Sequence, residues 1–139
     1  IGPVEKLVAD AEHCVLEGVE VEDTVHVLTR HGSVLGSFSL NQHQSTNESF
    51  LTVVCEAGSA RYESHTSRWL SSTEPDQPWK VEQEFLLQRD DLFVRQANAF
   101  LDQVEGQADA ACSIEEALQT LRVNLAALES VQNGNWVTL

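Results

Sequence analysis

The chain has 139 residues, of which 42% are hydrophobic and 22% charged, a balance that fits one globular domain and excludes a disordered or fibrous chain. Eight Lys plus Arg against 22 Asp plus Glu leave a formal charge of -14, so neither a nucleic-acid backbone nor an anionic membrane is expected as a partner. No apolar run approaches the roughly 20 residues that span a bilayer, and no secretory pattern opens the chain. Cys14, Cys55 and Cys112 are odd in number, dispersed and in no C-x-x-C pair, which predicts reduced thiols, no structural zinc and a cytoplasmic location. Cys55 lies among Leu51, Val53 and Val54 and is expected to be buried; Cys112 precedes a helix start and is the thiol best placed to react. The chain opens Ile1-Gly2-Pro3 and contains no Met, so a piece of a longer protein is expected.

The first two thirds read as strands. Leu7, Ala9 and Ala11 alternate with Val8, Asp10 and Glu12, and alternation returns from Asp23 to Thr29. His31-Gly32-Ser33 signals a tight turn into a return strand over Val34 to Gln44. Along that strand Phe38 and Leu40 share one face, and Ser37 and Ser39 the other. After the polar loop Ser45 to Glu48 come a β-prone run from Phe50 to Cys55, a turn at Glu56-Ala57-Gly58, and a strand over Ser59 to Glu63. Ser64 to Lys80 lacks clear periodicity and reads as a long irregular segment, functional or at an interface. Trp79, Val81, Gln83, Phe85 and Leu87 then alternate as a last long strand.

The pattern changes at Asp90-Asp91. Phe93, Ala97, Phe100, Leu101 and Val104 recur at helical spacing, with an Asp at the start and Gly106 at the end. Ser113-Ile114-Glu115-Glu116 has the form of a capping box, followed by an apolar stripe of Ile114, Ala117, Leu118, Leu121, Leu125 and Leu128. Asn133-Gly134 ends this second helix, and Trp136 to Leu139 can close as a short strand. Strands first and helices last predict an α+β domain: an open-faced, predominantly antiparallel sheet with two C-terminal helices packed on one face.

Motifs that carry chemistry are sparse. The seven glycines are dispersed, with no G-x-G-x-x-G and no G-x-x-x-x-G-K-[ST]. His13, His26, His31, His43 and His65 show no metal-ligand spacing, so no metal site is expected. Asn41-Gln42-His43-Gln44 is a run of hydrogen-bonding side chains suited to a substrate with several hydroxyls; a polar strand edge is the simpler account of it. Alternation would put Gln42 and Gln44 on the Phe38 face, and Asn41 and His43 on the other. Arg61, Glu63, His65, Arg68 and Trp69 form a second cluster, in which an aromatic beside Arg could stack a sugar ring; surface ion pairs plus a core Trp are the plainer reading. Asp90-Asp91 is explained by helix capping, and the sequon Asn47-Glu48-Ser49 by chance. No nucleophile stands with a base.

The order of segments nonetheless has a counterpart. Val21 to Thr24, the hairpin through Gly32 to Asn41-Gln42, and Val53-Val54-Cys55-Glu56-Ala57-Gly58-Ser59-Ala60-Arg61 precede Asp91 to Phe100, Cys112 to Ala117, and Gly134-Asn135-Trp136-Val137. Together they resemble the C-terminal α/β domain of the Gfo/Idh/MocA oxidoreductases, the glucose–fructose oxidoreductase and inositol dehydrogenase family. The resemblance implies that residues 1–139 are one domain, the second half of a two-domain enzyme. An N-terminal Rossmann domain would bind NAD or NADP, a Glu-Lys-Pro stretch would supply a catalytic Lys, and an Asp-x-x-x-His helix further acid–base groups. All of these lie outside this chain, so no catalytic or cofactor-binding residue is carried over. The sheet would supply a wall of the site for a small polyhydroxylated substrate and a homo-oligomer interface. Asn41, Gln42, His43, Gln44 and Arg68 are then the substrate-side or interface candidates. Two other readings stand beside this one: a self-contained α+β binding or dimerisation module without catalytic activity, and a small cone-shaped enzyme with a deep pocket around His26 or His43.

Overall fold

The computed structural model describes residues 1–139. In chain order the elements are β1 (Lys6–Glu12), β2 (Thr24–His31), β3 (Val34–Asn41), β4 (Phe50–Cys55), β5 (Gly58–Glu63), β6 (Arg68–Ser72), β7 (Lys80–Glu84), α1 (Asp91–Val104), α2 (Ile114–Asn133) and β8 (Val137–Thr138). They gather into two compact units, residues 1–44 with 110–139, and residues 45–109. Each unit holds one four-stranded antiparallel sheet, in the orders β3-β2-β1-β8 and β4-β5-β6-β7. The α+β class and the strands-then-helices order are as the sequence indicates.

The first unit is built on a hairpin and a returning helix. His31 pairs with Val34 across Gly32-Ser33, and Gly32 takes a φ of 61°, a conformation open to glycine at little cost. The expected capping box forms: Ser113 Oγ accepts the Glu116 N–H, and the Glu116 carboxylate accepts the Ser113 N–H. Gly134, at φ 64°, ends α2 in the left-handed conformation and donates its N–H to the Ser130 carbonyl. The chain then turns into β8, which pairs Lys6 with Thr138 and Leu7 with Val137.

The core of this unit lies between β1 and α2. Leu7, Ala9 and Ala126 are buried, with Val4, Val27, Val123, Ala127, Val131 and Val137 packed around them. Small residues on α2 let its backbone come close to β1. Ser130, fully buried, accepts the Ala9 N–H at 2.9 Å and donates to the Asn135 carbonyl at 2.7 Å, so one hydroxyl joins strand, helix and C-terminal turn.

Several expectations are corrected. The strands divide into two sheets because β3 stops at Asn41. There Asn41 Oδ1 accepts the His43 N–H at 2.8 Å, and this local bond turns the chain before it can continue to Gln44 as a strand. The docked helix is α2, on β1 and β8, whereas no residue of α1 is buried, and Phe93, Phe100 and Val104 are exposed along it. The segment from Ser64 to Lys80 is not irregular throughout, since it contains β6, entered by a turn in which Ser67 adopts a φ of 49°. The alternation read from Trp79 to Leu87 yields only the five residues of β7, because β6 begins at Arg68 and offers nothing to pair with beyond the Phe85 N–H to Ser67 carbonyl bond. Cys55 is exposed, at the end of edge strand β4, as are Cys14 and Cys112.

Leu7 has no exposed surface, so Leu7→Ala leaves a cavity between β1 and α2 and should cost about 2–5 kcal/mol in urea unfolding. Leu86, 96% exposed, provides the control, and Leu86→Ala should lie within about 0.5 kcal/mol of the parent. Equal effects of the two substitutions would contradict the placement of the core.

Candidate functional site

Two polar clusters stand out, one in each unit. In the first unit the organising group is Asp23, only 1% exposed although it is a carboxylate. It accepts the backbone N–H groups of Leu16 and Val15, each at 2.8 Å, and that of Cys14 at 3.1 Å, and its fourth donor is Thr24 Oγ1 at 2.8 Å. The Leu16 and Val15 bonds hold this carboxyl far below the usual carboxylate range, against the opposing pull of burial. His13 caps the same loop, its Nε2 lying 2.8 Å from the Leu16 carbonyl and 4.0 Å from the Asp23 carboxylate. The backbone of Asp23 reaches the other way. Its carbonyl accepts the Gln42 N–H at 2.9 Å, so one residue fixes both the 14–16 loop and the start of the Asn41 to Gln44 turn.

In the second unit, charge and aromatic rings are interleaved on β4, β5 and β6. Register places Arg61 between Thr52 and Leu70, and Glu63 between Phe50 and Arg68. Arg61 Nε donates to Thr52 Oγ1 at 3.0 Å, and its guanidinium lies 4.8 Å from the Phe50 ring centre and 4.6 Å from that of Trp79. Next to it Arg68 donates to the Glu63 carboxylate at 2.7 Å, and Thr66 Oγ1 adds a 3.0 Å bond. The Arg68 and Thr66 bonds hold the Glu63 carboxyl below its ordinary range. An open cleft of about 650 Å³ lies at the far end of β6, between Ser71, Ser72, the loop through Gln77 and Pro78, and Trp79, Lys80 and Glu82.

The sequence candidates are thus not one constellation. Asn41, Gln42, His43 and Gln44 belong to the first unit and Arg68 to the second. The first three form the strand end and turn described above, all exposed, so the face assignment read from alternation stops at Asn41. Arg68 is occupied by Glu63. Trp69 is not the stacking ring of the second cluster: it neighbours Arg68 in a strand and so points to the opposite face. Trp79 and Phe50 stack on Arg61 instead, and only the pairing register, which sequence spacing does not carry, brings them there. No group of three or more His, Cys, Asp or Glu side chains is placed to hold a metal ion.

With this geometry in hand, comparison with known proteins is informative. The chain matches the family model described as the oxidoreductase family, C-terminal alpha/beta domain, over residues 3–139, and it belongs to that family. Among solved structures it is similar to the WlbA dehydrogenase from Bordetella pertussis in complex with NADH and UDP-GlcNAcA, at 21% identity and a TM-score of 0.73, covering 100% of this chain and 41% of that one. An oxidoreductase from Agrobacterium radiobacter in complex with NAD+, L-tartaric acid and magnesium gives 17% identity and a TM-score of 0.79, with coverages of 98% and 43%. The aldose-aldose oxidoreductase from Caulobacter crescentus complexed with glycerol gives 17% and 0.76, with coverages of 99% and 42%. The chain therefore spans less than half the length of these relatives. No curated protein matches it. No helix of the chain is long and apolar enough to cross a membrane.

Because the folded state holds Asp23 ionised far more readily than the unfolded chain does, its contribution to stability is complete above the unfolded pKa of roughly 3.9 and is lost as pH falls below that value. Asp23→Asn should lower the melting temperature at neutral pH, and the gap to the parent should narrow as pH drops below about 4. Circular dichroism melts across that range check this; a gap independent of pH would refute it.

Proposed function

We propose that this chain is the substrate-side and assembly domain of an NAD(P)-dependent oxidoreductase acting on a sugar, a cyclitol or a similar hydroxyl or carbonyl compound. The observation that carries the reading is the family match over residues 3–139, supported by neighbours that include a dehydrogenase in complex with NADH and UDP-GlcNAcA, an oxidoreductase in complex with NAD+ and L-tartaric acid, and an aldose-aldose oxidoreductase. In such an enzyme the nicotinamide supplies or accepts hydride at the reacting carbon, and the second domain holds that carbon in place.

The residues of this chain do not fit the cofactor itself. Dinucleotide sites place pyrophosphate on a free helix N-terminus behind a glycine-rich turn. Here the first turn of α1 carries Asp91 and that of α2 carries Glu115 and Glu116, while Ser113 Oγ already accepts the Glu116 N–H and the Glu116 carboxylate the Ser113 N–H. Carboxylates at both helix starts would repel a pyrophosphate. In this account NAD or NADP is held by a Rossmann domain outside these residues, and the catalytic Lys and Asp/His groups lie there too. The 139-residue chain supplies a wall of the substrate site and a subunit interface.

Interface surface is abundant. Val27 pairs with Phe38 and Val25 with Leu40, yet α2 covers only β1 and β8, leaving Phe38 and Leu40 about half exposed at 51% and 56%. A homo-oligomer contact over β2 and β3 would cover them.

Two results are expected. NADH fluorescence should show no saturable binding to the 139-residue chain, whereas the gene product that includes the preceding reading frame should bind NADH and reduce NAD+ or NADP+ with a sugar or cyclitol. Tight NADH binding by the chain alone, or no nicotinamide-linked turnover by the longer product, would overturn the proposal. In sedimentation equilibrium the chain should self-associate, and Phe38→Asp should weaken this by about tenfold or more; a monomer at high concentration would remove the interface role.

A further inference from the structure

We propose that the cleft beside Trp79 is a binding subsite for one ring of a neutral polyhydroxylated ligand, a pyranose or cyclitol, stacked on the Trp79 indole. This deepens the proposed function and rests on it, since it assigns the sugar-like substrate a contact surface within residues 71–82. The subsite lies entirely within the second unit.

Three observations converge on this cleft. The first is its lining. Ser71, Ser72, Gln77, Lys80 and Glu82 offer hydroxyl, amide, ammonium and carboxylate groups around one indole, in an open space of about 650 Å³. A sugar ring needs this mixture: an apolar face for its C–H groups, and donors and acceptors in the plane of its hydroxyls.

The second is the rigidity of the platform. Arg61 lies 4.6 Å from the Trp79 ring centre and is itself held by Thr52 Oγ1 at 3.0 Å and by the Phe50 ring at 4.8 Å. The indole is therefore fixed through the Phe50–Arg61–Trp79 stack before any ligand arrives, and little freedom is left to lose on binding. Trp79 is half-buried and forms part of the cleft lining.

The third is the state of the acceptor. Glu82 is the extra residue where β6 and β7 shift register at Trp69/Leu70, with Val81 opposite Leu70 and Gln83 opposite Trp69. Its carboxylate accepts from Ser71 Oγ at 2.6 Å and from Lys80 Nζ at 3.0 Å. These two bonds, Ser71 first, hold it below its ordinary range, so it stays an acceptor at neutral pH. Two acidic groups, Glu74 and Glu82, against Lys80 give the cleft no excess of positive charge, in a chain of formal charge -14. That balance selects against phosphorylated or carboxylated rings and for neutral ones.

The test is titration of the isotopically labelled 139-residue chain with glucose, N-acetylglucosamine and myo-inositol, followed through its three Trp indole N–H signals. We expect a saturable shift of the Trp79 signal with at least one of these, with Trp69 and Trp136 unmoved. Trp79→Ala should weaken binding by about tenfold or more and Glu82→Gln by several-fold, whereas Trp136→Phe should leave it unchanged. An unmoved Trp79 signal with all three ligands, or affinity unchanged in folded Trp79→Ala, overturns the subsite. The two proposals fail separately. Sugar turnover by the longer gene product with a KM indifferent to Trp79→Ala rejects the cleft and keeps the oxidoreductase; ring binding at Trp79 without any nicotinamide-linked turnover keeps the cleft and rejects the oxidoreductase.

Discussion

The buried hydroxyl of Ser130 is the joint on which the first unit depends. It takes the Ala9 N–H from the middle of β1 and gives its own proton to Asn135, just beyond the glycine that ends α2. A strand near the start of the chain is thereby fixed to a helix near its end, and β8 is delivered to the free edge of β1. The unit closes on itself: the Leu139 N–H reaches the Glu5 carbonyl at 2.9 Å, and Gln119 holds the Val4 carbonyl at 3.1 Å. An unpaired hydroxyl in the same place would cost what the paired one contributes and more. Around this joint the short side chains of Ala9 and Ala126 let strand and helix approach closely, and Leu7 fills the space beside them.

That economy of contact has a consequence elsewhere. With the core of the first unit centred on β1 and α2, Phe38 and Leu40 of β3 stay in solvent; within the second unit, so do Phe93 and Phe100 of α1. Scattered exposed leucines are ordinary, but whole faces are not. A second domain or a second copy would cover such faces, and that is the physical content of the proposed assembly role. Meanwhile the polar residues are held from below: Asp23 anchors the Asn41 to His43 turn through its carbonyl, and Arg61 anchors Trp79 through its guanidinium. Backbone and stacking interactions thus position both polar clusters.

Much of this was legible in the sequence and some was not, for reasons that differ. The capping box at Ser113, the Gly32 turn, the Gly134 helix end and the antiparallel meander are local signals, and each survives folding because neighbouring residues settle it. β6 is not legible because a five-residue strand reading Arg-Trp-Leu-Ser-Ser has too little alternation to separate it from loop. The end of β3 was overrun because a strand pattern cannot show that Asn41 will bond to the His43 N–H. Asp23 shows no sign of its role in the sequence, since three of its four donors are backbone groups seven to nine positions earlier, supplied by a loop without a pattern of its own. The Arg61 stack is hidden for a similar reason. Phe50, Arg61 and Trp79 meet only once β4 and β5 are in register and β7 has returned alongside β6.

The proposal on which the others rest is that these 139 residues are the second half of a nicotinamide-dependent enzyme. The most direct measurement is the coding sequence immediately upstream of the Ile1 codon. The account predicts an open frame encoding a strand followed by G-x-G-x-x-G, then Glu-Lys-Pro, then an Asp-x-x-x-His helix that runs into Ile1. A start codon within a few residues of Ile1, with no dinucleotide-binding segment before it, would contradict the account and leave a free-standing module.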